Sequence, residues 1–423
     1  MFITSVLMIL ILLVILHFST KIPISVGKIN LLSISIYRDF GVLTALALAF
    51  WIDSSMANEH YIMSQIPKDS MKLALYASFL FMFFFLFYGY FLNIGFNSIR
   101  NKMPKANESF FEKLTILWLF ILIFFVGIMY FKNPPVLTQI FQGATAMDIS
   151  VARSEVGGNA FFKIIRNTWV PLTSYTLLYF YLKNKKIFIF FVLSVLLAVI
   201  CSVWSGAKAS LASLILGYLG VYIIAKENLK FNSFKVLAYV IFFFMFILFM
   251  YYITTLNNGT TFSNILITAT YRFFVQAAGV SYAFYMYPTF FDFKYFSGIS
   301  NFISGLSSTK FSSVYGDLID YAAPEFADIS GALSSFAAGD AYGLFGWWGI
   351  LIGPFFAAFF YYMFYCFSVQ GNAKILFIGM YGLYFGNAFL ASSFYSFIWP
   401  VGLFISIAPF LLFYIISCIS KTG

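Results

Sequence analysis

From Leu73 to Ile99 the chain runs "LALYASFLFMFFFLFYGYFLNIGFNSI", twenty-seven residues without a charge. As a helix this stretch is about 40 Å long, more than the roughly 30 Å hydrocarbon core of a bilayer. A helix bonds its own backbone internally, so in lipid such a segment needs nothing else to satisfy it. The pattern recurs. Apolar runs of crossing length lie at roughly 2–18, 39–52, 71–95, 111–131, 165–182, 187–204, 209–225, 235–256, 346–367, 374–391 and 396–418. The expected fold class is therefore all-α, a polytopic membrane protein of about eleven transmembrane helices. With 62% of 423 residues hydrophobic and only 9% charged, a soluble fold would have too little polar surface to cover itself. The run from Phe2 to Phe18 lacks a basic n-region and a small-residue cleavage site, and reads as an uncleaved span.

Several chemistries are excluded. Cys201, Cys366 and Cys418 all fall inside apolar runs, which argues against a disulfide framework or a thiolate metal cage. His17 and His60 do not cluster, so no metal and no cofactor is expected. There is no GxxxxGK[ST] or GxGxxG element, which disfavours ATP-driven transport and cytoplasmic nucleotide-sugar chemistry. The formal charge of +10 does not indicate nucleic acid, because the basic residues are scattered through short connections.

Their distribution sets the orientation. Lys21, Lys28 and Arg38; Arg100, Lys102, Lys105 and Lys113; Lys183, Lys185 and Lys186; Lys226, Lys230 and Lys235; then Lys374 and Lys421 fall on one set of connections, fifteen of the twenty-five cations. By the positive-inside rule this side is cytoplasmic and the N-terminus is outside. The chain then divides into helices 1–4 (1–131), a first long outer loop (132–164), helices 5–8 (165–256), a large outer loop (257–345) and helices 9–11 (346–423). The large loop contains an apolar stretch at 265–287. Arg272 near its middle is costly in lipid, about 2.5 to 3.5 kcal/mol, so the stretch is expected to lie at the interface or re-enter it.

Of five arginines, Arg153, Arg166 and Arg272 fall on the outer side, against the bias that lysine obeys. A guanidinium grips phosphate through two parallel hydrogen bonds, which an ammonium cannot do. These three, with Lys208 in the tight "SVWSGAKASL" hairpin, are the candidate diphosphate ligands; simpler roles are local ion pairs for Arg153 and Arg272, and interfacial anchoring for Arg166 and Lys208. A second constellation, "VYGDLIDYAAPEFADISG" (314–331), sets Asp317, Asp320, Glu325 and Asp328 among aromatic residues. Asp317 and Asp320 share a helix face if the segment is helical. A carboxylate here, Asp317, Asp320 or Glu325, can take the proton from a sugar hydroxyl, while Tyr315, Tyr321 and Trp347 offer ring faces to sugars. The plain alternative is a solvated acidic loop, with Trp347 in the interfacial aromatic belt. In "AAGDAYGLFGWWGILIG" (337–353) the pairs Gly339/Gly343 and Gly349/Gly353 have the spacing of close helix packing, and Asp340 is the one residue there that could join the acids.

With its two long outer loops, the "ARSE" of 152–155, the "SGAK" of 205–208 and the "YR" of 271–272, the chain resembles the Wzy-type O-antigen polymerases. These are the oligosaccharide repeat-unit polymerases of bacterial surface polysaccharide (lipopolysaccharide) assembly. The resemblance implies a GT-C-like helical bundle in the bacterial inner (cytoplasmic) membrane, with its active site facing the periplasm. It implies a metal-independent glycosyltransferase that moves a growing glycan from undecaprenyl diphosphate onto the non-reducing end of a fresh undecaprenyl-diphosphate-linked oligosaccharide. It further implies membrane lipids and a chain-length-regulating co-polymerase as partners, and loop arginines, here Arg153 and Arg272, on the lipid-linked diphosphates. Some members place a glycine at a fixed interval after these arginines; here Gly157, Gly158 and Gly279 follow at shorter spacing. The large loop has no histidine, unlike the O-antigen ligases. A lipid-linked oligosaccharide flippase or transporter, a polyprenyl-phosphate-sugar-dependent glycosyltransferase and an O-antigen ligase are the competing readings.

Overall fold

A computed structural model describes residues 35–53, 63–132, 135–136, 160–204, 208–226, 245, 277–299, 313–322, 336–387, 390, 394–398 and 401–420. Among the described residues there is helix and no strand. The helices are α1 (Ala47–Asp53), α2 (Lys68–Ile99), α3 (Glu108–Lys132), α4 (Ala160–Ile164), α5 (Val170–Lys183), α6 (Phe188–Val203) and α7 (Lys208–Ala225). They continue with α8 (Ala278–Met286), α9 (Val314–Ala322), α10 (Ala337–Phe345), α11 (Trp347–Val369), α12 (Lys374–Gly386), α13 (Tyr395–Ile398) and α14 (Val401–Ile419). Two segments are π-helical: Tyr37–Leu46 leads into α1, and Ile165–Trp169 joins α4 to α5. Each expected span within the described residues is helical over most of its length. The runs at 2–18 and 235–256 lie outside the described residues, Met245 excepted.

Among the described residues five helices, Lys68–Ile99, Glu108–Lys132, Lys185–Val203, Trp347–Val369 and Gly402–Ile419, are long and apolar enough to cross a membrane. Their exposed faces are apolar too. Phe83, Phe87 and Phe91 form an outward stripe on α2, and Leu117, Phe120 and Phe124 one on α3. Residues three and four apart lie one above the other on a helix, and a continuous aromatic stripe of this kind faces lipid rather than water.

The chain divides into two compact units. The first gathers Met1–Phe91, Leu229–Phe359 and Leu390–Trp399; the second gathers Leu92–Asn228, Phe360–Phe389 and Pro400–Gly423.

In the first unit α10 and α11 are joined at Gly346, whose φ of +60° is a conformation that L side chains rarely adopt. The two helices then press together so closely that a Cβ on Gly349 would stand 1.9 Å from the Ala341 carbonyl oxygen. That is what the Gly349 spacing provides. Phe336, which precedes α10, packs its ring 5.6 Å from Phe81. Phe81 lies thirteen residues into α2, about 20 Å from its start at 1.5 Å per residue. The large loop therefore ends in a helix sunk beside α2, with Ala337 to Leu344 all buried.

In the second unit α12 packs against α5 and α7 through small residues. A Cβ on Gly386 would stand 2.2 Å from the Ser213 carbonyl oxygen. At one end of this unit several connections meet. The Asn372 side-chain amide donates to the Asn101 and Met103 carbonyls at 2.9 and 2.8 Å. Lys183 pairs with Glu108 at 2.8 Å, and the Asn107 N–H donates to the Ser417 carbonyl at 3.0 Å. The ends of α2, α5, α11 and α14 and the start of α3 are thus fastened together, and Ala225, the last residue of α7, lines the same cavity as Gly371.

Candidate functional site

In the first unit the large loop builds a buried polar cluster. The Asp317 carboxylate on α9 forms an ion pair with Lys294 at 2.5 Å, with side chains only 10% and 21% exposed. The Tyr287 hydroxyl, just after α8, donates to the same oxygen, Asp317 Oδ2, at 3.1 Å. Burial first, then the Asp317 charge and the hydrogen bond to it, and finally the Asp340 charge push the Tyr287 phenol far above its ordinary range. Tyr287 therefore stays a donor. Asp340 on α10 is 1% exposed.

The cluster holds the large loop together. Lys294 also donates its N–H to the Gly343 carbonyl at 3.0 Å, and a Cβ on Gly343 would meet Val314 at 2.7 Å. Beside it, Phe284 and Tyr342 stack at 4.0 Å and 18°. Trp347 flanks both rings at 6.1 and 5.7 Å while remaining 45% exposed. Tyr321, 40% exposed, sits 5.7 Å from Phe290. Two exposed rings on a fixed apolar base are platforms that a sugar face can use.

In the second unit Arg166 occupies the π-helical turn between α4 and α5 and is only 9% exposed. Its Nε donates to the neighbouring Asn167 Oδ1 at 3.0 Å. No carboxylate among the described residues pairs with it. Seventeen residues separate it from Lys183, about 25 Å of helix, so it lies toward the end of the unit away from the fastened connections. A snorkelling anchor would reach water; this guanidinium is instead enclosed, near Cys201 at the end of α6. Aromatic rings collect around its helix, with Trp169 5.4 Å from Trp118 and 5.8 Å from Phe161.

Other expected site residues stand differently. Arg153, Arg272 and Glu325 lie outside the described residues. Lys208 begins α7, and Tyr315 and Asp320 lie on α9, with their side chains outside what is described. Arg38, counted with the cytoplasmic connections, lies in the π-helical segment that leads into α1. Its Nε contacts Asp39 Oδ1 at 2.6 Å, with Asp39 fully buried, and the Leu390 N–H donates to Asp39 Oδ2 at 3.2 Å. Phe40 packs edge-on against Phe79, eleven residues into α2. The neutralising carboxylate is what lets this arginine enter the interior. Adjacent residues on a regular helix do not face each other, so no sequence pattern marks the pair, and Lys294 and Tyr287 are ordinary loop residues that carry no motif.

Fold and composition together define a helical membrane protein. Comparison of the chain with protein-family models, with curated proteins and with solved structures finds no match. Among the described residues no three histidine, cysteine or carboxylate side chains gather as a metal site would require.

Proposed function

We propose that the chain is a membrane glycosyltransferase of the O-antigen polymerase type, with about eleven spans in a GT-C-like bundle. Its substrate is an undecaprenyl-diphosphate-linked oligosaccharide, and it acts at the outer face of a bacterial cytoplasmic membrane. The observation that carries this reading is Arg166. A guanidinium enclosed at membrane level, with no acid beside it among the described residues, is costly unless an anion joins it, and the anion proposed is a lipid-linked phosphate or diphosphate, whose geometry matches. π-helical turns of this kind are frequent at functional sites.

In the proposed reaction the acceptor hydroxyl oxygen attacks C1 of the growing glycan and the C1–O bond to the diphosphate breaks. Undecaprenyl diphosphate departs with the electron pair. Negative charge grows on the leaving oxygen, and Arg166, with Arg153 and Arg272 as further ligands, favours that charge over the ground state. The hydroxyl proton passes to a carboxylate of the large loop. Asp317 Oδ2 already accepts from Lys294 and Tyr287, so Asp317 is assigned to positioning, and Asp320 or Glu325 to the base. Tyr321 and Trp347 are assigned to sugar rings.

The fastened connections of the second unit support the assigned orientation, because they are the connections that carry the lysines. The ends of α7 and α11 share one end of that unit. Purified protein supplied with lipid-linked repeat units is expected to make a ladder of longer glycans. Absence of a ladder, with lipid-linked sugar moved across liposomes instead, contradicts the polymerase and leaves a flippase.

A further inference from the structure

The last two turns of α2 interrupt its apolar run with polar side chains on one face. Asn93, Asn97 and Arg100 stand four and three residues apart, one above the other on the helix, and each is half-buried. Arg100, just past the last residue of α2, continues the turn, its N–H donating to the Phe96 carbonyl at 2.9 Å. The stripe borders α11 in the second unit. The Cys366 thiol donates to Asn93 Oδ1 at 3.1 Å, and Phe96 packs 5.9 Å from Phe367. The Asn97 side-chain amide donates to the same Asn93 oxygen at 3.0 Å. That oxygen is thus engaged twice, and among the described residues nothing accepts from the two N–H groups of the Asn93 amide.

Arg100 is fixed through its backbone. Gly371, at a φ of +121°, presses so near that a Cβ there would meet the Arg100 carbonyl oxygen at 3.0 Å, and the Asn372 N–H donates to the same oxygen at 3.4 Å. The guanidinium lies near the Cys366 thiol. Its Nε is shut off from water without a hydrogen-bond partner, and among the described residues no acid pairs with it. A donor enclosed in this way is costly until an acceptor reaches it. Lys102, two residues on, is exposed and adds positive charge at the same end of the helix.

These donors are spaced along about 10 Å of helix. The headgroup layer of a bilayer is about 5 to 8 Å thick on each side of the hydrocarbon, so in a crossing α2 the stripe runs from that layer to the hydrocarbon edge. A glycerophospholipid presents acceptors in the same order, with its phosphate outermost, its ester carbonyls beneath and its chains below them. Beside the stripe Ile94 and Ile99 are exposed, and a Cβ on Gly95 would meet nothing within 4 Å, which leaves an open apolar surface for the chains. A phosphorylated solute has no use for amide donors set deeper than the phosphate. We infer that this stripe binds an anionic glycerophospholipid, with Arg100 gripping the phosphate and Asn97 and Asn93 donating to the ester carbonyls. The inference uses no residue of the polymerase reading and stands apart from it.

The test uses the full chain in neutral detergent micelles, titrated calorimetrically with short-chain phosphatidylglycerol, with its ether-linked counterpart and with the headgroup alone, glycerophosphoglycerol. Saturable binding of the ester lipid is expected. The ether lipid, which keeps the phosphate and lacks the carbonyls, should bind about fivefold more weakly. Arg100→Gln should weaken the ester lipid by about tenfold or more. In Asn93→Leu/Asn97→Leu the two lipids should bind alike, because the donors that tell them apart are gone. The ester and ether comparison needs no variant, so it decides the matter if either variant fails to fold. No saturable lipid binding, binding indifferent to Arg100→Gln, an ether lipid as tight as the ester, or a headgroup as tight as the lipid overturns the inference.

Discussion

Arg38 and Arg166 occupy the same kind of place, each in a π-helical segment at the beginning of an apolar helix, yet their surroundings are opposite. Arg38 lies against a fully buried carboxylate that is itself held by a backbone N–H. Arg166 has one neighbouring amide and, among the described residues, no acid. A buried charge with its counter-ion is a structural device, whose removal leaves the partner stranded. A buried charge without one stands ready for a ligand. Whether a membrane-level arginine holds the fold or serves the function is decided by the carboxylate beside it.

The comparison predicts effects of opposite kind. Arg38→Gln strands Asp39 and should cost about 3–5 kcal/mol of stability, measured as a fall in the thermal unfolding midpoint of the detergent-purified protein. Adding Asp39→Asn should restore most of the loss, and no restoration would show that Arg38 acts through something other than its neighbour. Next in size is the large-loop pair. A double-mutant cycle of Lys294→Met and Asp317→Asn should give a coupling of about 1–3 kcal/mol, and additive effects would contradict the structural role given to Asp317. The smallest effect belongs to Lys183 and Glu108. Both are nearly half exposed, so Glu108→Gln should change stability by no more than about 1 kcal/mol.

What was legible in the sequence follows from which forces leave a periodic or compositional trace. Uncharged runs marked the helices, because lipid tolerates little else, and the glycine spacing before residue 353 marked the close contact at Gly349 against Ala341. Lysine placement marked the connections that meet around a half-open cavity of about 520 Å³, although nothing in the sequence revealed that they border one. The site residues were harder. Asp317 stood out for its acidic neighbours, but its ion pair spans twenty-three residues of chain to Lys294, and such a pairing exists only after α9 and α10 pack. Arg166 had the weakest claim of the three outer arginines, because a cation at a helix start is commonly an anchor. Its enclosure depends on α3 and α6, which no local pattern around residue 166 encodes.

The central claim is that Arg166 is held for a lipid-linked diphosphate. The most direct measurement compares Arg166→Lys and Arg166→Gln with the unaltered protein, scoring glycan chain growth from lipid-linked repeat units together with thermal stability. Because no carboxylate among the described residues pairs with Arg166, both variants should keep the stability of the original or exceed it. Polymerisation should fall by about a hundredfold in Arg166→Gln, and nearly as far in Arg166→Lys, which keeps the charge but loses the two-pronged grip. Full polymerisation by Arg166→Lys, or a loss of stability in Arg166→Gln as large as that in Arg38→Gln, would contradict the account.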